Sequence, residues 1–269
     1  MPAPRPLLDH IILLVPHAHL TQPPSWLSQP FTLSPGGRHA DNRTENRLIL
    51  LPDGVYLELI AFVDDDPQRR AGHWWDKPCG VVDWALTLPA PEAEEDADLA
   101  GVNERLESAG SGVRYEAPVK GGRTRPDGVE MEWRVGFPRG VERGVVPFWC
   151  FDVTERERRV PVPGPGMEHA CGAVGVEGMR LRVAEGRVKE VREAVGAVLG
   201  REGDGVGRVR VGVPRGGREA WVEVAGLEEG ESDGLKLEVV VRVDGNGEAP
   251  RDIRERIGEG EVVIRFQKA

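Results

Sequence analysis

Two ionisable side chains interrupt otherwise apolar runs, and their types suit metal or proton chemistry. His10 lies within LDHIILLVP, on the same side as Ile12 and Leu14, while Ile11, Leu13 and Val15 occupy the other side. With both faces apolar the segment reads as a buried strand, and an imidazole there needs a partner. Glu58 poses the same problem inside VYLELIAF, where it shares a side with Tyr56 and Ile60. An ionised carboxylate in that setting must be paired or bound to a metal. A His and a Glu on two strands of one small sheet offer nitrogen and oxygen ligands to a divalent cation. The same two residues also fit a plain hydrogen-bonded pair, or a carboxylate facing a sheet edge.

Other residues cluster in less demanding ways. GGRHADNRTEN (36–46) places Gly36 and Gly37 before His39, Arg43 and Asn46. Backbone N–H groups and a guanidinium in such a loop suit a polar or anionic ligand, and an ordinary surface loop is the alternative. His73, Trp74 and Trp75 are consecutive, and two adjacent indoles either line an apolar pocket or pack between modules. His169 follows a proline-rich stretch and reads as exposed; His17 and His19 read as loop residues. No GxSxG elbow, phosphate loop or GxGxxG follows a strand, and Cys150 in PFWCFDV reads as a small core residue rather than a thiolate.

These residues must be held by many short elements. The chain has 269 residues with 35 Gly and 22 Pro, and its apolar residues come in bursts of a few. That pattern excludes a coiled coil or helical bundle, and no apolar run is long enough to span a bilayer. The formal charge of −10 argues against nucleic acid as a partner. Asp9 and His10 interrupt what a secretory signal would need to keep apolar. Three cysteines without a CxxC pair are expected of a reducing, cytoplasmic protein.

The elements recur in order. A strand at 7–16, a short connection, a Gly36-Gly37 turn and strands at 31–34, 45–51 and 55–62 form a first round. A second has a strand at 80–88, a helix at 92–109 closed by Gly110, and strands at 113–117, 129–136 and 147–153. A third has a strand from Val174, a helix at 187–199 with Gly200 after it, and strands at 207–213, 220–225 and 235–243. The charge run and prolines of 154–166 read as a solvated, extended connector. The domains expected are 1–153 with two modules, a linker at 154–168, and a third module at 169–269.

LDHIILLVP, PGGRHADNRTENRLILLPDGVYLELIAF and DDPQRRAGHWW together resemble the glyoxalase-like domain proteins of the vicinal oxygen chelate superfamily (glyoxalase, bleomycin resistance and extradiol dioxygenase proteins), with fungal members most similar. The resemblance runs from residue 7 to about 180. It implies an α+β fold of repeated βαβββ modules curled into an incomplete β-barrel with flanking helices. In that superfamily the first and fourth strands of a module commonly each give a metal ligand, here His10 and Glu58. The second round departs from the pattern, offering only Asp83 and Asp152. If the third round pairs with the first, Glu238 stands where Glu58 stands and His169 lies near its start. The implied function is a metal-dependent enzyme of lyase, isomerase or dioxygenase type, a hydrolase being also open, acting on a small oxygen-rich molecule. Zn, Fe, Ni or Mn would be the cofactor, with His39 and Glu58 catalytic and Arg43 and Asn46 holding substrate. The alternative is a metal-free binding or sequestering protein walled by Trp74, Trp75 and Trp84. Either would be a monomer or homodimer with a small-molecule ligand and no membrane partner.

Overall fold

The structure, a computed structural model, describes residues 5–125, 127–204, 206–230, 234–245 and 249–269. The first round is β1 (Leu7–Leu14), two single turns α1 (Ala18–Thr21) and α2 (Ser25–Ser28), β2 (Ser34–His39), β3 (Thr44–Leu50) and β4 (Tyr56–Phe62), followed by the short α3 (Pro67–Arg70). The second is β5 (Gly80–Thr87), α4 (Glu92–Ser108), β6 (Arg114–Tyr115), β7 (Val119–Thr124), β8 (Glu130–Gly136), β9 (Pro138–Arg139) and β10 (Phe148–Asp152). After a single turn, α5 (Arg156–Arg159), come β11 (Ala173–Val183), α6 (Val188–Leu199), β12 (Arg208–Gly212), β13 (Glu219–Gly226), β14 (Lys236–Val243), β15 (Ile253–Ile257) and β16 (Gly260–Lys268). No helix among the described residues is long and apolar enough to cross a membrane.

This is a mixed fold of one large curled sheet with few helices. Fourteen strands follow the order β14-β11-β13-β12-β1-β4-β3-β2-β7-β8-β10-β5-β16-β15. β1 runs parallel to β4 and antiparallel to β5, and β5 runs parallel to β10. The first two rounds are thus related by a local two-fold through the His10–Ala85 pair. β11 repeats this, parallel to β13 and antiparallel to β14, and β14 is parallel to β16. β14 thus stands to β11 as β5 stands to β1. The two long helices, α4 and α6, pack together against one face of the sheet. α6 buries Val191, Ala194, Val195, Val198 and Leu199 along one stripe, and Gly200 ends it at φ 62°, a left-handed conformation that a Cβ would oppose.

The wall of the curl departs from expectation at two places. Gly36 and Gly37 lie inside β2 rather than in a turn, Gly37 opposite Asn46 and Gly36 the extra residue of a bulge after the Pro35–Arg47 pair. A Cβ at Gly36 would land on the Asn46 carbonyl, so the strands approach this closely only because the residue is glycine. β7, with the sequence VKGGRT, carries no apolar alternation and has no counterpart in the sequence reading. It joins β2 across only two residue pairs, Arg38–Thr124 and His39–Arg123.

A buried carboxylate ties the two halves together. Asp53, in the turn between β3 and β4, accepts hydrogen bonds from Val55 N (3.0 Å) and from Val176 N of β11 (2.7 Å). A Cβ at Gly175 would collide with its Oδ2. Burial raises the Asp53 pKa from 3.8 to about 6 against these hydrogen bonds and the Arg242 and Arg215 charges. The folded state thus binds the proton more tightly than the unfolded chain does. The stability this provides is complete below pH 3.8 and is lost as pH rises through 6. The loss amounts to about 3 kcal/mol. Urea titrations at stepped pH should show Asp53→Asn gaining on the natural protein by that amount between pH 4 and 7, and a pH-independent difference would contradict the raised pKa.

Candidate active site

The curled first half encloses a cavity of about 440 Å³. Its floor comes from β1 and β4, and its walls from β2, β3, β7, β8 and β10. Trp74, Trp75, Trp133, Phe137 and Phe148 make much of the lining apolar. Trp74 is 43% exposed, whereas Trp75 is buried and donates its Nε1–H to Asp83 (2.9 Å).

Glu58 stands between two imidazoles. His10 Nε2 lies 3.5 Å from its Oε2 and His39 Nε2 lies 3.5 Å from its Oε1. Asn46 Nδ2 donates to Oε1 at 2.6 Å. The Asn46 side-chain oxygen in turn accepts from Arg123 Nη1 (2.6 Å) and Gly37 N (3.0 Å), which fixes which way the amide faces. His39 Nδ1 pairs with Thr44 Oγ1 at 2.7 Å, so its Nε2 is turned towards Glu58. Burial pushes the Glu58 carboxyl up, but His10, His39, the Asn46 amide and Arg123 outweigh it and hold the group below its usual range. Burial lowers His39, only partly opposed by Glu58 and reinforced by Arg123, so the imidazole is neutral at pH 7. Burial also lowers the pKa of Arg123, although Glu58 opposes this.

Beneath this lies an ionic cluster built by a bulge. Between Leu8 and His10 the register with β5 slips by one residue, so Asp9 is the extra residue in β1. It can therefore reach the same face as its neighbour, and its Oδ2 lies 2.6 Å from His10 Nδ1. Its carboxylate also accepts from Arg156 Nη1 (2.5 Å) and Arg159 Nη1 (2.7 Å). Arg159 further bonds Tyr56 Oη (2.6 Å) and Asp152. Burial opposes ionisation of Asp9, but Arg156, Arg159 and His10 together hold its pKa well below the carboxylate range. Within a run expected to be solvated, Arg156 and Arg159 thus turn inward, Arg159 being only 5% exposed, while Glu157 and Arg158 stay exposed.

The remaining sequence candidates divide. Asn46, Trp74 and Trp75 join His10, His39 and Glu58 at the cavity. Arg43 does not: its Nε and Nη2 bond the carbonyls of Arg69 and Ala71 at 2.7 Å and hold that loop. Trp84 is fully buried on the opposite face of β5, its Nε1 donating to Gly144 O at 3.0 Å. His169 accepts from Thr32 N (3.1 Å) and lies 2.9 Å from Leu50 O, which makes it a loop anchor rather than an exposed residue. Glu238 lies on β14 and accepts from Arg265 Nε at 2.7 Å. Asp9, Arg123, Trp133, Phe148 and Arg159 are not among the site candidates of the sequence reading.

The donor set bears on a divalent metal. Asp9 takes His10 Nδ1, so Nε2 is the nitrogen that faces Glu58, 3.5 Å from its Oε2 and too far for a good hydrogen bond. The two atoms are close enough to ligate one cation, and a carboxylate on the far nitrogen is the usual setting of a ligating His. His10 and Glu58 thus fit as a pair of ligands. The local two-fold puts Ala85 opposite His10 and Phe148 opposite Tyr56, and therefore Cys150 where Glu58 stands. Burial raises the Cys150 thiol well above its usual pKa, so the second unit places a thiol, not a carboxylate, at the position matching Glu58. Ligand atoms of Asp9, His10 and Cys150 also lie within 4.8 Å of one another, but the Asp9 oxygens there already hold two guanidiniums.

The family profile described as a glyoxalase-like domain matches residues 8–199. Among solved structures, a hypothetical protein from Staphylococcus aureus superposes with a TM-score of 0.63 at 13% identity, covering 97% of this chain and all of the other. A mutant of 4-hydroxymandelate synthase from Streptomyces coelicolor gives a TM-score of 0.51 at 12% identity over 90% of this chain and 72% of that one. At such identities the likeness is one of fold. Among curated proteins, none matches the chain.

Proposed function

Given that this chain belongs to the glyoxalase-like domain family, we propose that its cleft is the active site of an enzyme moving a proton on a small carbonyl-bearing molecule. The observation that carries this reading is the pairing of an inward-facing His39 with an ionised Glu58 in one enclosed, largely apolar cavity. With Thr44 Oγ1 accepting from Nδ1–H, the basic nitrogen is Nε2, which faces the cavity beside Glu58 and has Asn46 Nδ2 at 3.4 Å. His39 takes a proton from the carbon next to the carbonyl, the C–H electron pair moves onto the oxygen, and His39 returns the proton to complete an isomerase- or lyase-type turnover. Asn46 holds Glu58 in place, and the aromatic walls exclude water. A divalent cation on His10 and Glu58, when bound, would stabilise the developing oxyanion as a Lewis acid.

The test is exchange of carbon-bound protons in deuterated buffer across a panel of small aldehydes and ketones, followed by proton NMR. His39→Gln should slow exchange at least about 100-fold. Elemental analysis of the natural protein beside His10→Ala, purified without chelator, reports the cation. Ligand-dependent quenching of tryptophan fluorescence without exchange of any compound would sink the enzyme reading in favour of a binding protein.

A further inference from the structure

Arg123 is the buried cation of the cleft that lacks an acidic partner. The chain carries a net charge of −10, yet five basic side chains line the cavity against three acidic ones, Asp41, Glu58 and Glu116. Most of the basic ones are matched. Arg143 bonds Asp83 at 2.5 and 3.0 Å, Arg159 bonds Asp9 and Asp152, and Arg139, towards the solvent, bonds Glu116 at 2.9 Å. Arg123 is 5% exposed, and its polar contacts are one amide oxygen, Asn46 Oδ1, and the Met131 sulfur at 3.9 Å. Its Nε has no hydrogen-bond partner. Among the described residues no carboxylate lies within hydrogen-bond distance of it. A buried guanidinium left so poorly matched has a cost that an anionic oxygen would remove, because charge-assisted bonds to a carboxylate or enolate are the strong kind.

We infer that the cleft takes a small anionic molecule, an arylalkyl carboxylate or its like, with the anionic group on Arg123 and the ring among the aromatic walls. Trp133 supports this placement: it follows Met131 on β8, its indole packs over Gly121 of β7, and its ring lies 6.3 Å from His39, edge to face. Trp74, Phe137 and Phe148 continue the aromatic surface, with Trp74 and Phe137 ring centroids 4.9 Å apart. The ring of a ligand held by Arg123 would meet this surface while its α-carbon lies on the His39 side, since His39 and Arg123 are cross-strand partners. The assignment deepens the proton-transfer reading by naming its substrate class, and it is separable from it.

Phenylacetate and phenylacetamide share shape and differ in charge, so their affinities isolate the guanidinium. Isothermal titration of the full chain should show phenylacetate binding about 10- to 100-fold more tightly. In Arg123→Met that preference should disappear while the amide binds as before. Arg123→Lys, which keeps the charge without the planar fork, should retain part of it and serves if the Met variant does not fold. His39→Gln should keep the full preference, so loss of proton exchange alone leaves this inference standing. Equal affinity of the two compounds, or binding of neither at millimolar concentration, overturns it.

Discussion

Asp9→Ala should remove about 3–5 kcal/mol of stability, the typical cost of breaking a buried ion pair from one side. Asp9 is fully buried, and its two oxygens receive Arg156 and Arg159, themselves mostly enclosed. Removing the carboxylate leaves two guanidiniums in a site too dry to solvate them, with only Asp152 and the Tyr56 hydroxyl as remaining side-chain partners. The comparison that isolates the cause is Asp9→Ala combined with Arg156→Met and Arg159→Met, in which no uncompensated charge remains. That triple variant should regain most of the loss in guanidinium denaturation. A single variant within about 1 kcal/mol of the natural protein would mean the cluster is hydrated, because exposed pairs contribute no more than that. His10 should also lose its Nδ1 partner, so cleft binding should weaken even where the triple variant restores stability.

Trp84→Ala should cost a similar 3–5 kcal/mol, for a different reason. Its indole is fully buried in the main core, paired across from Ile11, while the adjacent Asp83 and Ala85 face the cleft side of β5. The deletion leaves a cavity the surrounding sheet cannot close, and Gly144 O loses its donor. Trp84→Phe fills most of the space and should cost about 1–3 kcal/mol for the unsatisfied carbonyl. Ligand affinity should be unchanged in the Phe variant. A shift in affinity without a shift in denaturation midpoint would instead make Trp84 a cleft wall.

His10 and Glu58 were legible because each breaks an apolar run on a face that cannot tolerate a lone charge. Asp9 was not, since strict alternation points it away from His10, and only the bulge in β1 brings them to one face. Arg159 sits in a sequence of charges that resembles a solvated run, and its burial depends on Asp9, a partner 150 positions away. Arg123 lies in KGGRT, a segment with no apolar pattern, whose strand character comes from its neighbours β2 and β8 rather than from itself. Arg43 looked suited to a ligand by type and position, but two loop carbonyls lie nearer. Parallel pairing of β14 with β16 is a long-range fact no local pattern carries.

The joint between β2 and β7 has a consequence for local opening. β1 is hydrogen-bonded to three other strands, and the β3–β4 ladder runs over seven residue pairs, whereas β2 and β7 share two. Amide exchange should therefore be slower in the β3–β4 ladder than at that joint, where local opening breaks few bonds. His39 and Arg123 stand on its opposite banks. A molecule that touches both the imidazole and the guanidinium would bridge the two banks and should slow exchange there.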